Sequence, residues 1–409
     1  MKPGQAVFRL AASSLILSLA GCATAGPRVN ATPTPIPLGP LPSSVALPEG
    51  SAAPFAIYDN VLAWAGIPNA VGACPRNDVY LANIRAYHPR IIWRGGQCAV
   101  LSGIRVSPAW VVWSAGASPG GSVWGHQRAT GRTYRIAGQP HPVTPTEPCA
   151  TLDCFPNLSF GLAGNIAVWS QTEFTPEGDE LDSSILGKVL PYGRPKVLWS
   201  TTAACTIQTD PFLGAGRLVW LQATWPIDAA VAGQAGVRQC RGPLQTNVMT
   251  ETIRATFRRG RGGAYPSQPT QITTSGLTSN PQTDGRFVSW LDTYGVPARC
   301  ACSDLDIFDT RTDNVLTLAT GVTDYVISGR IVSWIQRLPH SERVRVARIG
   351  PRQLRISHVH TLATAGLPTT GRFIRTYGWP SNQRLVWELD TLSGLSDKVR
   401  VVIRDVRDE

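Results

Sequence analysis

A Gly-x-Ser-x-Gly string at residues 116–120 is the one match in the sequence to a nucleophile motif. In serine hydrolases this serine stands between a strand and a helix, and the backbone amide that follows it helps to form the oxyanion hole. Here Pro119 follows Ser118, so that position has no N–H to donate. The flanking residues have the pattern of a β-hairpin. We therefore predict no catalytic residue, and we expect a binding role rather than an enzymatic one.

Two further groups of residues are of types that metal ions use. His358 and His360 are two positions apart on a predicted strand, so both side chains face the same way, but no third ligand is close in sequence. Asp304, Asp306 and Asp309 carry the oxygen atoms that calcium prefers, although they also fit a strand and its turn. An acidic segment at 177–182 is the second calcium candidate and fits a solvated hairpin equally well. We predict no metal site and no cofactor, with calcium as the alternative.

The nine cysteines divide into one near the amino terminus, Cys22, and eight others. An even number of cysteines in an exported chain indicates disulfides. Zinc is the rival interpretation, but the cysteines lack the paired C-x-x-C spacing of zinc sites. Partners that are neighbours in sequence are the simplest pairing: Cys74 with Cys98, Cys149 with Cys154, Cys205 with Cys240, and Cys300 with Cys302.

The amino terminus has the pattern of a secretory signal. Lys2 and Arg9 are its positive region, and an apolar run at 10–20 is too short to span a bilayer. The run ends in Leu19-Ala20-Gly21-Cys22, which resembles the lipobox of bacterial lipoproteins. The resemblance implies that residues 1–21 are removed and that Cys22 receives diacylglycerol and an acyl chain, an anchor of several chains that holds stably to a membrane. An ordinary cleaved signal is the alternative.

Residues 22–54 follow as a segment rich in Pro, Ser, Ala and Thr, which we interpret as a semi-rigid tether. Its tail near Val45 is also a candidate for an extra strand. The net charge of +11 falls to about +9 once the signal is removed. Such a charge attracts anionic lipids, acidic glycans or nucleic acid. It equally fits an Arg-rich genome with no specific partner, and we expect no nucleic-acid partner.

One sequence pattern recurs along residues 55–409: a polar or glycine turn, three or four β-forming residues, and a tryptophan. The tryptophans of its seven copies are spaced 44 to 70 residues apart, near the length of a four-stranded propeller blade with loops. Because one blade cannot bury its own faces, each tryptophan is expected to pack against the neighbouring blade. These tryptophans are Trp64, Trp113, Trp169, Trp220, Trp290, Trp334 and Trp387.

Units such as Ser328–Trp334 and 303–318 resemble the TolB-like and WD-repeat-like propellers of bacterial envelope proteins. The resemblance implies an all-β fold, a β-propeller of seven four-stranded blades over residues 55–409. The last strand-like run, 399–406, ends close to the terminus, so residues near 45–58 are expected to supply a closing strand.

A long insertion after Trp220 holds arginines beside aromatic residues, a pattern that suits a polyanion or a membrane surface. These candidates are Arg254, Arg258, Arg259 and Arg261. Taken together, the sequence predicts a monomeric exported lipoprotein, anchored to the cell membrane or to an outer membrane. Its propeller would bind or scaffold an envelope protein or polymer. The alternative is an exported enzyme acting on carbohydrate, whose carboxylates converge from separate blades.

Overall fold

The computed structural model is all-β. It describes residues 43–47, 51–66, 77–85, 88–96, 100–117, 120–140, 159–174, 180–201, 203, 205–225, 243–253, 269–293, 302–366, 372–375, 384–391 and 400–405. In these ranges no helix has the length and apolar character that crossing a membrane requires.

The described strands number twenty-seven. In chain order they are β1 (Ser43–Ala46), β2 (Ser51–Tyr58), β3 (Val61–Gly66), β4 (Asp78–Asn83), β5 (Arg90–Arg94), β6 (Val100–Val106), β7 (Trp110–Ala117), β8 (Gly120–Gln127), β9 (Arg132–Pro140), β10 (Phe160–Ala163), β11 (Ile166–Phe174), β12 (Glu180–Val189), β13 (Lys196–Thr201), β14 (Thr206–Gly214), β15 (Arg217–Thr224), β16 (Gln245–Thr252), β17 (Thr270–Gln271), β18 (Thr278–Thr283), β19 (Phe287–Asp292), β20 (Ser303–Asp309), β21 (Asn314–Ser328), β22 (Ile331–Leu338), β23 (Ser341–Ile349), β24 (Ile356–Gly366), β25 (Arg372–Arg375), β26 (Arg384–Thr391) and β27 (Arg400–Asp405).

Consecutive strands pair antiparallel in small sheets. Four sheets have the orders β2-β3-β4-β5, β6-β7-β8-β9, β10-β11-β12-β13 and β14-β15-β16-β17. A seven-stranded sheet runs from β18 to β24, and its long strand β21 pairs with β20 through its first half and with β22 through its second half. Each half of β21 therefore completes a different group of four strands. The blade number of seven stays a prediction, because those two groups share one continuous sheet.

The sixth sheet joins the two ends of the chain, in the order β1-β27-β26-β25. Ser43 pairs with Ile403 and Ala46 with Arg400. The predicted closing strand is thus present, but it is shorter than the range 45–58, since Ser51–Tyr58 is the first strand of a different sheet. Strand pairing begins at Ser43, inside the segment interpreted as tether. The pairing of β1 with β27 joins the two ends of the described chain in one sheet and leaves the short strand β1 at the edge of that sheet.

Each copy of the repeated sequence pattern lies on the second strand of its group of four strands, from β3 in the first group to β26 in the last. The tryptophans from Trp64 to Trp334 are buried, and most pack against the preceding group. Trp220 of β15 lies in one cluster with Val168 and Ile185 of the group before it, and Trp290 lies with Phe212 in the same way. The expected packing between blades is confirmed, because the flat faces of adjacent sheets can exclude water only against each other.

The ends of the strands define two faces of the ring. The turn face is the side where first strands turn into second strands and third into fourth, as at Asp59–Asn60 and residues 128–131. The loop face is the opposite side, where second strands connect to third strands and one group connects to the next. The connection 254–269 leaves from the turn face because it joins the third and fourth strands of its group.

Candidate ligand-binding channel

The first strands of several groups carry a β-bulge at the same level of the ring. In three of them the bulge contains a proline: Pro54 in β2, Pro211 in β14 and Pro281 in β18. Proline cannot donate to the strand ladder and is tolerated where the ladder is interrupted. A bulge also turns the neighbouring side chain away from the regular direction of the strand. These bulges therefore redirect side chains around the centre of the ring.

Two of those redirected residues share an unusual backbone conformation. Asp210 and Asn280 each precede the bulge proline, and both have a φ of +49°. This left-handed region disfavours most side chains, but aspartate and asparagine tolerate it best among residues with a Cβ. The sequence at these two positions therefore matches what the bulge needs, and the consequence is a polar side chain at each one.

A cavity of about 310 Å³ lies where these first strands meet. Because it is lined from β6, the start of β10, β14 and β18, it lies in the central channel of the propeller. We call it the channel site. Its lining residues are Ser102, Gly103, Arg105, Ser159, Phe160, Asp210, Pro211, Asn280 and Pro281.

Arg105 is the single cation among the described residues that line this cavity. Its guanidinium carbon is 5.9 Å from the centre of the Phe160 ring and 5.8 Å from that of Phe212. Burial lowers the pKa of Arg105 to about 10, and the nearby charges of Asp324 and Asp210 partly oppose that shift. The side chain stays protonated at neutral pH. It presents a poorly hydrated positive charge between two aromatic faces.

Asp210 is the carboxylate of the channel site. Burial within the channel raises its pKa, whereas hydrogen bonds from Ser159 and Thr209 and the charge of Arg105 lower it in part. A carboxylate with a raised pKa is held at a cost in solvation that a cationic ligand group would reduce. The channel site thus offers opposite charges from different strands: Arg105 from β6 and Asp210 from β14, with Asp324 of β21 close enough to act on Arg105.

Hydrogen bonds to the next group of four strands in the same sheet hold the β18 side of the channel. The Tyr325 hydroxyl donates to the Asn280 carbonyl at 2.5 Å, and the Gln282 side chain donates to the Tyr325 carbonyl at 2.9 Å. Gln282 in turn accepts a hydrogen bond from the Ile327 amide at 3.1 Å. These bonds link β18 to the second half of β21, so the channel wall is fixed before any ligand arrives.

Most of the other residues considered in the sequence analysis do not come together into a site in the described structure. Ala117 pairs with Gly120, so the Gly-x-Ser-x-Gly string spans a hairpin, as expected from its flanks. His358 lies at a bulge with a φ of +61°, and its ring centre is 6.5 Å from that of His360. No group of three or more His, Cys, Asp or Glu suited to a metal ion is found among the described residues.

The three aspartates considered as alternative calcium ligands, Asp304, Asp306 and Asp309, do not lie on one face of the sheet. The buried and exposed residues of β20 alternate, so Asp304 and Asp306 share one face while Asp309 lies on the other, where it pairs with Arg286. Asp292 of β19 instead stands opposite Asp304. Burial and mutual repulsion within this trio of Asp292, Asp304 and Asp306 raise the pKa values of Asp304 and Asp306. The sequence missed Asp292 because strand pairing, not sequence spacing, brings it there.

Cys205 and Cys302 each take part in a disulfide bond. Their predicted partners lie outside the described residues, so the pairing stays a prediction. The other predicted site residues that lie outside the described part are Cys22, Cys74, Cys98, Cys149, Cys154, Cys240, Cys300, Arg254, Arg258, Arg259 and Arg261.

A second cavity, of about 520 Å³, lies on the turn face between the first two sheets. We call it the basic cleft because His88, Arg90 and Arg128 line it. Arg128 is fixed there by donating 2.8 Å hydrogen bonds to the carbonyls of Ser107 and Pro108. Among the described residues, the side chains of His88 and Arg90 have no hydrogen-bond or ion-pair partner.

The turn face as a whole is strongly basic. We count here the turns and the two strand residues on either side of them, leaving out Arg105 of the channel site, and only described side chains. Fourteen cations occupy it: Arg85, Arg90, Arg128, Arg132, Lys188, Arg194, Lys196, Arg217, Arg286, Arg311, Arg330, Arg348, Arg352 and Arg355. Five acidic residues accompany them: Asp59, Glu251, Asp284, Asp309 and Asp313. The loop face, counted in the same way, has two arginines, Arg94 and Arg337, against four acids, Asp78, Asp292, Asp304 and Glu342.

Comparison with known proteins supports the fold. No protein family and no curated protein sequence matches the chain. Among solved structures, the β-propeller domain of the Trilobed protease from Pyrococcus furiosus matches with a TM-score of 0.57 and 9% identity, over 89% of this chain and 97% of that one. The acylaminoacyl peptidase of Pyrococcus horikoshii matches with a TM-score of 0.55 and 9% identity, over 88% of this chain and 52% of that one.

TolB from Acinetobacter baumannii also matches, with a TM-score of 0.43 and 10% identity, over 71% of this chain and 61% of that one. The chain therefore spans about half to three fifths of the length of TolB and of the peptidases. At such low identity the Pyrococcus furiosus match shows a shared β-propeller fold and nothing about activity. The Pyrococcus furiosus domain is described as having an open velcro topology, whereas here β1 pairs with β27.

Proposed function

We propose that this chain is an exported, lipid-anchored binding protein that holds a segment of an envelope protein in the central channel of its propeller. One observation carries the proposal: the channel site places Arg105, Asp210 and Asn280 from three different strands around one cavity. Charges of both signs around one cavity suit a ligand that itself carries both signs. A polypeptide segment does so, and it is narrow enough to enter a propeller channel.

Cys22 is the proposed site of the anchor, and its test is independent of the channel. Mass spectrometry of the amino-terminal peptide should find Cys22 as the first residue, with diacylglycerol attached. The substitution Cys22→Ser should make the protein extractable from membranes by high salt, since it removes the proposed acceptor for the lipid and leaves only salt-sensitive contacts. Recovery of an unmodified Cys22 from membranes would contradict the anchor and leave the channel proposal standing.

Binding in the channel is tested by photocrosslinking within intact cells. A photoreactive residue at Ser102, which is exposed to the channel, should crosslink a discrete partner. The crosslink should weaken about tenfold with Arg105→Gln or Asp210→Asn, because each removes one charge that the ligand meets. The control places the same photoreactive residue at exposed Val315 on the turn face, outside the channel, where the channel substitutions should have no effect on crosslinking. A Ser102 crosslink that both substitutions leave unchanged would contradict the proposal.

The alternative function is hydrolysis or elimination on a carbohydrate. One observation favours it: Asp210 has the raised pKa that a general acid needs, and Asp324 supplies a second carboxylate at the channel. Purified protein incubated with envelope polysaccharides distinguishes the two functions. Cleavage that Asp210→Asn abolishes would establish the enzyme. Retained partner crosslinking without any cleavage would establish the binding protein.

A further inference from the structure

We propose that the turn face is a docking surface for an anionic phospholipid bilayer. Anionic membranes attract basic surfaces at short range, and each Lys or Arg near the surface adds to the attraction. The turn face fits this requirement because eight of its cations are exposed, whereas only two of its acids, Asp59 and Asp313, are. Its other acids are partly or fully buried, and Asp309 is neutralised by Arg286.

Exposed apolar side chains gather on the same face. Seven large hydrophobic residues are exposed among those described, and five of them lie on the turn face: Ile91, Val189, Tyr192, Val197 and Val315. Tyr192 is 87% exposed and lies two residues from Arg194 in the turn between β12 and β13. Tyrosine beside cations is the composition of a membrane interface, where the ring reaches the headgroup level and the cations meet phosphates. A surface for an acidic polymer would have no need of those apolar residues.

The basic cleft offers a place for a single headgroup. Arg128 is held by its two backbone hydrogen bonds, and Arg90 is exposed beside it. The charge of Arg90, together with the larger effect of burial, lowers the pKa of nearby His126 to about 4, so His126 adds no charge of its own. Arg90 and Arg128 are the arginines that face this cleft, with His88 beside them and Asp59 as the acid close enough to act on Arg128. A phosphate diester fits between them.

The direction of the chain agrees with this docking surface. Arg384 pairs with Asp405 where β26 begins, which marks the turn-face end of the sixth sheet. Ser43 pairs with Ile403, two residues from that end, so the chain enters β1 from the turn face. If Cys22 carries the anchor, as proposed above, the chain that leads from it enters the propeller on the basic side of the ring. The orientation of the anchored protein rests on that proposal, whereas the affinity of the face for lipid does not.

The test measures vesicle binding of the full chain with Cys22→Ser, so that no attached lipid contributes. Vesicles of phosphatidylcholine with phosphatidylglycerol should bind it, vesicles of phosphatidylcholine alone should not, and added salt should weaken binding. The triple variant Arg90→Glu, Arg194→Glu and Arg352→Glu should lose binding at least about tenfold, because it reverses three exposed charges spread around the turn face.

The matched control is Arg94→Glu, Arg135→Glu and Arg343→Glu, which changes the net charge equally but outside the turn face. It should keep at least about half of the binding, while Tyr192→Ser should lower binding a few-fold. Thermal unfolding shows whether each variant is folded. Every protein in the comparison has the same amino-terminal residues, so they contribute equally.

Three outcomes would overturn the proposal. In the first, the two triple variants lose binding equally, which would indicate attraction by net charge alone. In the second, folded protein fails to bind the anionic vesicles. In the third, soluble polyphosphate binds in a way that depends on the turn-face arginines while vesicles do not, which would make an acidic polymer the ligand. Vesicle binding by a protein whose Cys22 proves unlipidated would support the docking surface and contradict only the anchor.

Discussion

Arg286 and Asp309 form a bidentate ion pair that joins the turn before β19 to the end of β20. The Arg286 Nη2 donates to Asp309 Oδ2 at 2.6 Å and Nε donates to Oδ1 at 3.0 Å. The Asp309 carboxylate is fully buried and Arg286 is mostly covered. This geometry fixes both side chains and links the turn before β19 to the end of β20 on the turn face.

Loss of this pair should destabilise the protein. We expect Asp309→Asn to lower the free energy of unfolding by about 2–4 kcal/mol, because it leaves the Arg286 charge without its buried partner. Urea unfolding followed by tryptophan fluorescence measures the change. Asp313→Asn is the matched control: Asp313 is exposed, and asparagine tolerates its φ of +54°. The control should change stability by less than about 0.5 kcal/mol, and equal losses would contradict the role of the pair.

The same pair predicts an acid dependence. The hydrogen bonds from Arg286 hold the pKa of Asp309 below its usual value. A carboxyl whose folded pKa is depressed stabilises the fold above its unfolded pKa, about 3.9, and this contribution disappears as the pH falls through the folded pKa. The stability difference between the unchanged chain and Asp309→Asn should therefore be constant from pH 7 to about pH 5 and shrink below about pH 4. A difference that stays constant down to pH 2 would exclude the ion pair as its source.

Trp220 should be a main support of its sheet interface. It is fully buried, packs against the preceding sheet, and donates a 2.5 Å hydrogen bond from Nε1 to Gln208 Oε1. Trp220→Ala should cost about 3–5 kcal/mol, since it removes a large buried side chain and leaves a cavity. Tyr192→Ala, at an 87% exposed aromatic, is the control and should stay within about 0.5 kcal/mol. Calorimetry of both variants decides the comparison.

Asp210 should be held in the channel at a cost to stability. Because burial raises its pKa, its ionisation disfavours the folded state, and this penalty grows as the pH rises above the unfolded pKa. Asp210→Asn keeps the shape and tolerates the φ of +49°, so we expect it to raise Tm slightly at pH 7 and to have no such effect near pH 3. A lower Tm at pH 7 would indicate that the attraction of Arg105 outweighs the burial.

The seam between β1 and β27 should contribute to the stability of the whole ring. Val45 pairs with Val401, and Val45→Pro should disrupt this short ladder and lower Tm by several degrees. Ala31→Pro, in the proline-rich segment, is the matched control and should leave Tm unchanged. An unchanged Tm in Val45→Pro would show that the ring is stable without its closing strand.

The repeat could be predicted because its signal is local. A tryptophan at the end of a short β-forming run marks the second strand of each group, and the run Ile331–Trp334 lies on such a strand, β22. The closing strand was predictable from the short carboxy-terminal blade, although its bounds were not, since Val45 lies in a proline-rich context. Boundaries of this kind depend on pairing with β27, which no local pattern reports.

The channel site could not be predicted in the same way. Arg105, Asp210 and Asn280 are far apart in sequence and come together only because three first strands meet at the ring centre. A weaker signal was present in the sequence. A proline lies nine positions before the repeat tryptophan at Pro211 and Pro281, and ten positions before it at Pro54. Asp210 and Asn280 come directly before the first two of these prolines. The pair of a residue and the proline after it marks the bulge, and the bulge marks which side chain is redirected towards the channel.

The entry of the chain into β1 also determines how the ring carries mechanical load. A pull on the residues before Ser43, directed away from the turn face, acts along the axis of β1 and not across it. The hydrogen bonds between β1 and β27 then share the force in shear, instead of opening one after another from one end. The seam of the propeller is thus loaded in the direction in which a short antiparallel strand pair resists separation best.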